Sequence, residues 1–339
     1  MVVTEGRASP GLPAADFEEI VGPLRRELLV HCYRMLGSMP DAEDAVQDAL
    51  LRAWKGASRF EGRSSHRTWL YRITTNVCLS RLARRSARLL PVDLGPAGDP
   101  APGAAWPRLE GAFVGPFPDV LFATPDADPG AAYETREAVE LAFVVALQQL
   151  TPRQRAVLLL FDVLGFSAKE TAATMKVTVA SVTSALQRAR RTMKHHLPDA
   201  SQQQTLRALG DDQLRTLASR YADAWERGDV ADILALVTDD VTFSMPPHPI
   251  WFSGRQAVAE FLPAGPLRLT WRLVQTHANG QLAFGFYTRS PDGGPYVAHS
   301  LDVITVCDDR VAAITAFLEQ GADDFTRFGL PATLTETRA

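Results

Sequence analysis

Residues 167–196 read SAKETAATMKVTVASVTSALQRARRTMKHH, and the rest of the chain is best understood outward from them. Ser167 and Glu170 stand in the S-x-x-E order of a capping box, which satisfies free backbone N–H groups at a helix start. A short helix follows, with Ala172 and Ala173 small enough to let a second helix pack close. Met175-Lys176-Val177 forms the turn, and Thr178 is a good N-cap for the second helix. On that helix Val182, Leu186 and Met193 recur at helical spacing and face inward. Thr178, Ser181, Thr183, Ser184, Gln187, Arg188, Arg191 and Lys194 make the candidate DNA-reading set. Ser, Thr and Gln reach base edges, whereas Arg and Lys contact phosphates. This is a helix-turn-helix pattern, although an ordinary amphipathic helix with a solvated basic face would look alike. The neighbouring segments decide between the two.

The chain has 339 residues, a formal net charge of −4, 46% hydrophobic and 22% charged residues. That is a soluble, globular composition long enough for two or three domains. The near-neutral total hides a segregated charge pattern. Cys32, Cys78 and Cys307 lie far apart without metal spacing, as expected of reduced thiols in a cytoplasm. His195-His196 adds charge to the recognition helix, and His248 and His299 lack ligand spacing, so no metal and no cofactor is expected. The start of the chain does not read as a signal peptide and no apolar run is long enough for a membrane span; the expectation is a cytoplasmic protein.

Upstream, residues 1–15 read as a disordered tail. Phe17, Ile20, Leu24, Leu28, Met35 and Leu36 then form one helical stripe, broken at Gly37-Ser38-Met39-Pro40. Asp41 is expected to cap the next helix, with Val46, Leu50, Ala53 and Trp54 facing in. Asp41, Glu43, Asp44, Gln47 and Asp48 give that helix an acidic face, either for solubility or for docking a basic partner. Between Glu61 and Asp93 there is no acidic residue, while Arg63, Arg67, Arg72, Arg81, Arg84, Arg85 and Arg88 all occur. Arg67, Trp69, Tyr71, Arg72, Asn76, Arg81, Arg84 and Arg85 are the candidates for single-stranded DNA, whose backbone needs cations and whose bases stack on rings. Of the two rings, Trp69 is expected to be the more buried.

These segments resemble a known family. YRMLGSMPDAEDAVQDALLRAWKG followed by RTWLYRITTNVCLSRLARR resembles region 2 of the sigma-70 factors of the extracytoplasmic-function (ECF) group, and LQQLTPRQRAVLLLFDVLGFSAKETAATMKVTVASVTSALQRARRTM resembles region 4. The resemblance covers residues 16–197. It implies that Asp41 to Trp54 grips the clamp helices of core RNA polymerase, that the Arg63–Arg88 segment melts and reads the −10 element, and that residues 167–194 read the −35 element. Departures are Ser80 where relatives often carry Asp, Thr183 and Ala185 where basic residues are usual, and Lys176 where Gly is common. Thr183 and Ala185 predict weaker phosphate contacts from the front of the recognition helix.

Residues 91–133 are rich in proline and acidic residues and read as a flexible acidic linker, with Trp106, Phe113, Phe117 and Phe122 hinting that it docks onto something. Helix resumes near Tyr133, and Thr151-Pro152-Arg153-Gln154 is a second capping box, with Val157, Leu158 and Phe161 packing behind the helix-turn-helix. Region 4 spans 134–197 and a polar, Gln-rich hinge 198–211. The remainder, 212–330 before a tail at 331–339, reads as helices and then alternating strands with an Asn279-Gly280 hairpin. Leu214, Leu217, Tyr221 and Trp225 form its first apolar stripe. This part resembles the SnoaL-like branch of the NTF2-like fold. The fold expected is therefore multidomain: two all-α sigma domains, a region 2 bundle (16–90) and a region 4 helix-turn-helix, followed by an α+β cone with a curved antiparallel sheet.

Relatives of that cone include cyclases and isomerases using Asp and His. The candidates here are Asp240, His248, His299 and Asp302, with Trp251, Tyr287 and Tyr296 as lining; the candidate ligand pocket is Trp225, His248, Trp251, Tyr287 and His299. The reading is a non-enzymatic transcription initiation factor, partnered by core RNA polymerase and promoter DNA and modulated in cis by its third domain. An anti-sigma protein or a small-molecule ligand are further candidate partners. Two rivals remain. A ligand-responsive helix-turn-helix regulator leaves the acidic helix and the Arg/aromatic segment unexplained. A SnoaL-type isomerase or cyclase with a fused DNA-binding module predicts turnover that depends on Asp240 or His299.

Overall fold

The computed structural model describes residues 14–62, 64–99, 107–122, 136–289, 293–318 and 320–335. The expectations for the N-terminal tail before residue 14, Arg63, Trp106, the restart near Tyr133 and the Pro291-Asp292 turn lie outside the described residues. The chain divides into two compact units, one built from residues up to 87 with 146–196, the other from 88–145 with 197 onward.

In the first unit, α1 (Ala14–Leu36), α2 (Met39–Gly56) and α3 (His66–Leu82) pack pairwise into a bundle. Gly37, in the left-handed region at φ 68, ends α1. The cap of α2 is Ser38 rather than Asp41: the Ser38 hydroxyl accepts the Asp41 N–H at 3.4 Å, and Asp41 sits in the first turn. The second half contains the end of α4 (Leu141–Gln148), α5 (Pro152–Leu158) with a π-helical turn at Leu159–Val163, α6 (Ala168–Met175) and α7 (Val179–His196). Both capping boxes form, at Thr151/Gln154 and Ser167/Glu170. Lys176 takes the left-handed turn position at φ 53, Thr178 Oγ1 accepts the Ser181 N–H at 3.2 Å, and Val182, Leu186, Ala189 and Met193 are buried. Of the alanine pair, Ala172 is buried and Ala173 exposed. Phe161 is only half-buried; Leu159 and Leu160 fill the space behind the motif.

Helices α5 and α6 pack on α3, and α5 on α1. The joint is polar and dry. Arg155, 1% exposed, donates from Nη1 to Met35 O and Gln148 Oε1, and from Nη2 to Gln148 O at 3.1 Å and Leu150 O at 3.3 Å. Gln148 Nε2 donates to Arg34 O at 3.4 Å. The last carbonyls of α1, which no residue of that helix can satisfy, thus find donors on the other half of the unit.

In the second unit, α8 (Gln202–Leu209), α9 (Asp211–Arg227) and α10 (Val230–Ala235) precede a sheet with α11 (Arg255–Ala264) inserted after its second strand. The strands are β1 (Val237–Ser244), β2 (Trp251–Ser253), β3 (Trp271–Ala278), β4 (Gln281–Thr288), β5 (Tyr296–Cys307), β6 (Arg310–Leu318) and β7 (Thr333–Leu334), in the order β2-β1-β6-β5-β4-β3 with β7 on β5. The sheet is mixed, not purely antiparallel, because β1 lies parallel to β6 after the α11 crossover. A short helix, α12 (Ala322–Arg327), follows, and β7 extends the unit into residues read as tail. Leu217, Tyr221 and Trp225 of α9 enter a core with Phe243, Phe284 and Phe286.

Two segments expected to be loose are packed. The presumed hinge contains α8, capped by Ser201, and Gln202 replaces a missing strand neighbour: its amide donates to Val306 O and accepts the Val306 N–H, both at 2.8 Å, where the β5–β6 register shifts. The described parts of the linker lie on the sheet domain. Phe117 and Asn279 exchange hydrogen bonds, Asn279 N–H to Phe117 O and Phe117 N–H to Asn279 Oδ1, each 2.8 Å. Asn279 Nδ2 donates to Val139 O at 2.7 Å, and the Gly280 N–H to Asp119 Oδ1 at 2.8 Å. Gly280 is there for space as well as for its φ of 69, since a Cβ would stand 3.0 Å from Arg136 O. Phe117 is fully buried and Phe113, Val114 and Phe122 nearly so. Aromatic residues in a proline-rich spacer are explained by this burial, each worth about 1.5–3 kcal/mol.

Candidate nucleic-acid interface and the C-terminal cavity

The exposed face of α7 carries all eight residues of the candidate reading set: Thr178, Ser181, Thr183, Ser184, Gln187, Arg188, Arg191 and Lys194. Arg190, on the flank, is engaged with Asp162 through both Nε (3.0 Å) and Nη2, and lies over the Phe161 ring. The cationic end of the helix is therefore Arg188, Arg191 and Lys194, with exposed His195 and His196 after it.

On α3 the picture departs from the sequence reading. Tyr71 is 0% exposed and Trp69 6%, so burial ranks them opposite to expectation and neither ring offers a free face. The reason for Tyr71 is a partner: its hydroxyl donates to Glu27 Oε2 at 3.2 Å, and its ring meets Phe166 edge-on at 5.5 Å. Arg67 spans the same joint, 3.4 Å from Glu27 Oε2, 3.4 Å from Leu164 O and over the rings of Tyr71 and Phe166. Arg81 pairs with Asp48 at 2.7 Å and Asp44 at 3.8 Å, and Arg85 pairs with Asp41. Two candidate DNA-contacting arginines and three candidate polymerase-contacting aspartates thus engage one another. Arg72, Asn76 and Arg84 remain exposed on α3 and its end, as do Glu43 and Gln47 on α2.

Trp54 does not face in. It is 49% exposed, with Leu51 at 54%, and together with Phe17, 5.2 Å away edge-to-face, it lines an apolar groove between α1 and α2 beside Glu43 and Gln47. The i,i+3 pair Leu51/Trp54 lies off the Val46-Leu50-Ala53 stripe, which is the periodicity signal that could have shown this second apolar face.

In the second unit a cavity of about 220 Å³ opens among Trp225, Phe243, Phe261, Trp271, Phe286 and Asp302. Trp225 and His299 line it, His299 standing edge-on to Trp271 at 5.1 Å. The other candidates lie elsewhere. His248 Nδ1 is 3.1 Å from Pro107 O and Trp251 Nε1 donates to Gly95 O at 3.0 Å, so both hold the linker. Tyr287 donates to Pro331 O at 2.7 Å and packs on Phe325. Asp240 is exposed, and Tyr296 is buried under Arg272 and Arg289. A strand alternates its side chains between faces, but which face encloses a cavity is decided by the helices laid over it.

Asp302, 2% exposed, is hydrogen-bonded by the Ser300 hydroxyl at 2.9 Å, and burial pushes its carboxyl up to about 7. Glu140 accepts the first N–H groups of α8, from Gln202 at 3.0 Å and Gln203 at 2.7 Å, yet burial outweighs those bonds and raises it to about 7. Asp119 is raised by burial to about 6, against the Gly280 N–H and Arg136. Among the described residues no His, Cys, Asp and Glu cluster suits a metal ion, and no helix is long and apolar enough to cross a membrane.

Three family models match: sigma-70 region 2 over residues 20–88, sigma-70 region 4 over 140–193, and a SnoaL-like domain over 218–314. The chain is 42% identical to the ECF RNA polymerase sigma factor SigG of Mycobacterium tuberculosis over 97% of its own length and 88% of that protein. The chain belongs to the ECF RNA polymerase sigma factors. Another relative is the M. tuberculosis ECF factor SigJ, 27% identical over 86% of this chain and 88% of that one. A crystal structure of SigJ shares the fold, with a TM-score of 0.57 at 23% identity over 94% of this chain and 100% of the other. The groove and the α7 face lie on the two sigma regions of this ECF factor, and the cavity lies in its SnoaL-like domain.

Proposed function

We propose that this ECF sigma factor is restrained in cis by its SnoaL-like domain, which holds the linker between regions 2 and 4 against its sheet. As a transcription initiation factor, the protein acts with core RNA polymerase on promoter DNA, reading −10 and −35 elements. The observation that carries the restraint is the reciprocal hydrogen-bond pair between Phe117 and Asn279, closed by Asn279 to Val139 and Gly280 to Asp119. A linker held by buried bonds is not available to a polymerase channel until they open. The region 2–region 4 joint at Arg155 and the Arg81/Arg85 pairs with Asp41, Asp44 and Asp48 support the same reading.

The α7 face takes the −35 element: Ser181, Ser184 and Gln187 on bases, Arg188, Arg191 and Lys194 on phosphates. Arg72, Asn76 and Arg84 meet the −10 element first, and Arg67, Arg81 and Arg85 become free for it once their internal partners are released. Leu51, Trp54, Glu43 and Gln47 form the polymerase face. The protein performs no catalysis of its own and works in the cytoplasm, and the fused domain occupies the role of a separate anti-sigma protein.

The test is run-off transcription with core polymerase, comparing the full chain with Phe117→Ala and with a chain ending near Pro198. Higher polymerase-dependent output from either variant is expected. Identical output from all three would remove the cis restraint, and absence of polymerase binding would remove the sigma reading.

A further inference from the structure

The first turn of α7 leaves an apolar side chain in the open. Val179, the first residue of the helix, is 46% exposed, whereas Val182, Leu186 and Met193 further along are buried. Among the described residues it is the one exposed large apolar side chain that α7 carries. Ala180 beside it is exposed as well. The hydroxyls around them are largely engaged within the protein. Thr178 and Ser181 bond each other at 2.9 Å, and Thr178 Oγ1 also accepts the Ser181 N–H, so the pair keeps one hydroxyl hydrogen for another partner. Thr183 Oγ1 donates to Val179 O at 3.2 Å. A lone exposed valine is ordinary on a protein surface. At the leading end of a helix that enters the major groove, however, it stands where a base edge covers it.

We propose that Val179 is a specificity-determining residue of the −35 contact, selecting a thymine by covering its C5-methyl group. This deepens the reading of α7 as the −35 helix and rests on it. The thymine methyl is the one apolar group that the major groove displays. An isopropyl group laid on it removes apolar surface from water on both sides. Against guanine, adenine or cytosine the same group would shut water away from N7, O6 or an exocyclic amine and offer no hydrogen bond in return, which is unfavourable. Arg188, Arg191 and Lys194 lie further along the exposed face, where phosphate contacts fix the register of the helix without reading sequence.

The test uses the full chain with core polymerase and a pool of duplexes randomised across the promoter. The upstream of the two enriched blocks is the −35 element. Within it each thymine is replaced in turn by deoxyuridine, in either strand, which deletes the methyl and keeps every hydrogen-bonding group. Wild-type binding is expected to fall roughly fourfold at one such position, as one buried methyl group allows. In Val179→Ala the same replacement should be without effect, and the thymine preference at that position should disappear. No methyl-sensitive thymine in the block, or one equally sensitive in Val179→Ala, would overturn the proposal. Gln187→Ala separates that failure from failure of the underlying reading. If it relaxes preference within the block while the deoxyuridine series is flat, only the role of Val179 falls. If neither Gln187→Ala nor Val179→Ala changes any preference in the block, α7 does not read this element and both fall. The deoxyuridine series on the wild type decides the outcome even if a variant fails to fold.

Discussion

Replacing Asn279 isolates the clasp that holds the linker. Its side chain satisfies two buried groups, the Phe117 N–H at 2.8 Å and the Val139 carbonyl at 2.7 Å, and its backbone sits at φ 57 in the hairpin turn. Asn279→Ala leaves both groups unpaired, at about 1–3 kcal/mol each. It also leaves a β-carbon in the left-handed region without the short polar side chain that lets Asn sit there, at roughly 1 kcal/mol. The linker should therefore open more easily by about 3–7 kcal/mol, or roughly 10²–10⁵-fold in amide exchange where opening is local. Asn279→Gly removes the same two bonds without the strain, and should recover about 1 kcal/mol of the loss. The assay is hydrogen exchange by mass spectrometry on peptides covering 107–122 and 136–145, with the central strands β4 and β5 as internal reference. If linker peptides in both variants exchange as in the wild type while the protein remains folded, Asn279 does not hold the linker. If the central strands lose protection equally, Asn279 supports the hairpin and not the clasp.

Other consequences are open to measurement. Arg155→Ala removes the donors that reach Met35 O, Gln148 O and Leu150 O, and should destabilise the first unit by about 3–5 kcal/mol, seen as a lower urea midpoint; a shift below about 1 kcal/mol would show that water replaces the guanidinium at no cost. Arg188→Ala with Arg191→Ala should weaken promoter binding and flatten its salt dependence by roughly two phosphate contacts; an unchanged slope would remove α7 from the groove. The pH dependence of the second unit has a definite sign. Asp119, Glu140 and Asp302 have folded values raised to about 6, 7 and 7, so the folded state keeps protons that the unfolded chain releases. Their contribution is full below about pH 4 and is lost as pH rises to about 7, at up to about 1.4 kcal/mol per pH unit per group. The melting temperature of this unit should fall between pH 5 and pH 8, and less so in Asp302→Asn; a flat profile in the wild type would contradict the burial argument.

Local rules carried a long way. The capping boxes at Ser167 and Thr151, the Thr178 cap, the inward stripe Val182-Leu186-Met193 and the Asn279-Gly280 turn all rest on interactions within a few residues, and each formed as read. The ordered pair of sigma-like segments and the strand-rich third part were legible for the same reason, since periodicity records which side of an element is covered. What covers it is another matter. Trp54 and Tyr71 sit on helices whose periodicity is clear, yet one is exposed and the other sealed, because burial depends on Glu27 and Phe166 arriving from elsewhere.

The same limit applies to the polar residues that join distant segments. Arg155, Gln202, Asn279 and Glu140 look like ordinary surface or hinge residues in sequence, and no periodicity marks them. Their partners lie 62 to 162 positions away for Glu140–Gln202 and Phe117–Asn279. His248 and Trp251 likewise turned from the expected pocket to the linker, while Asp302 entered the cavity. The amino-acid order by itself determined helices, strands, caps, turns and the family, because these depend on short-range backbone geometry and on patterns along one element. The tertiary structure alone decided which charges are paired, where the linker lies and which carboxyl is dry, because desolvation is set by whatever the rest of the chain brings alongside.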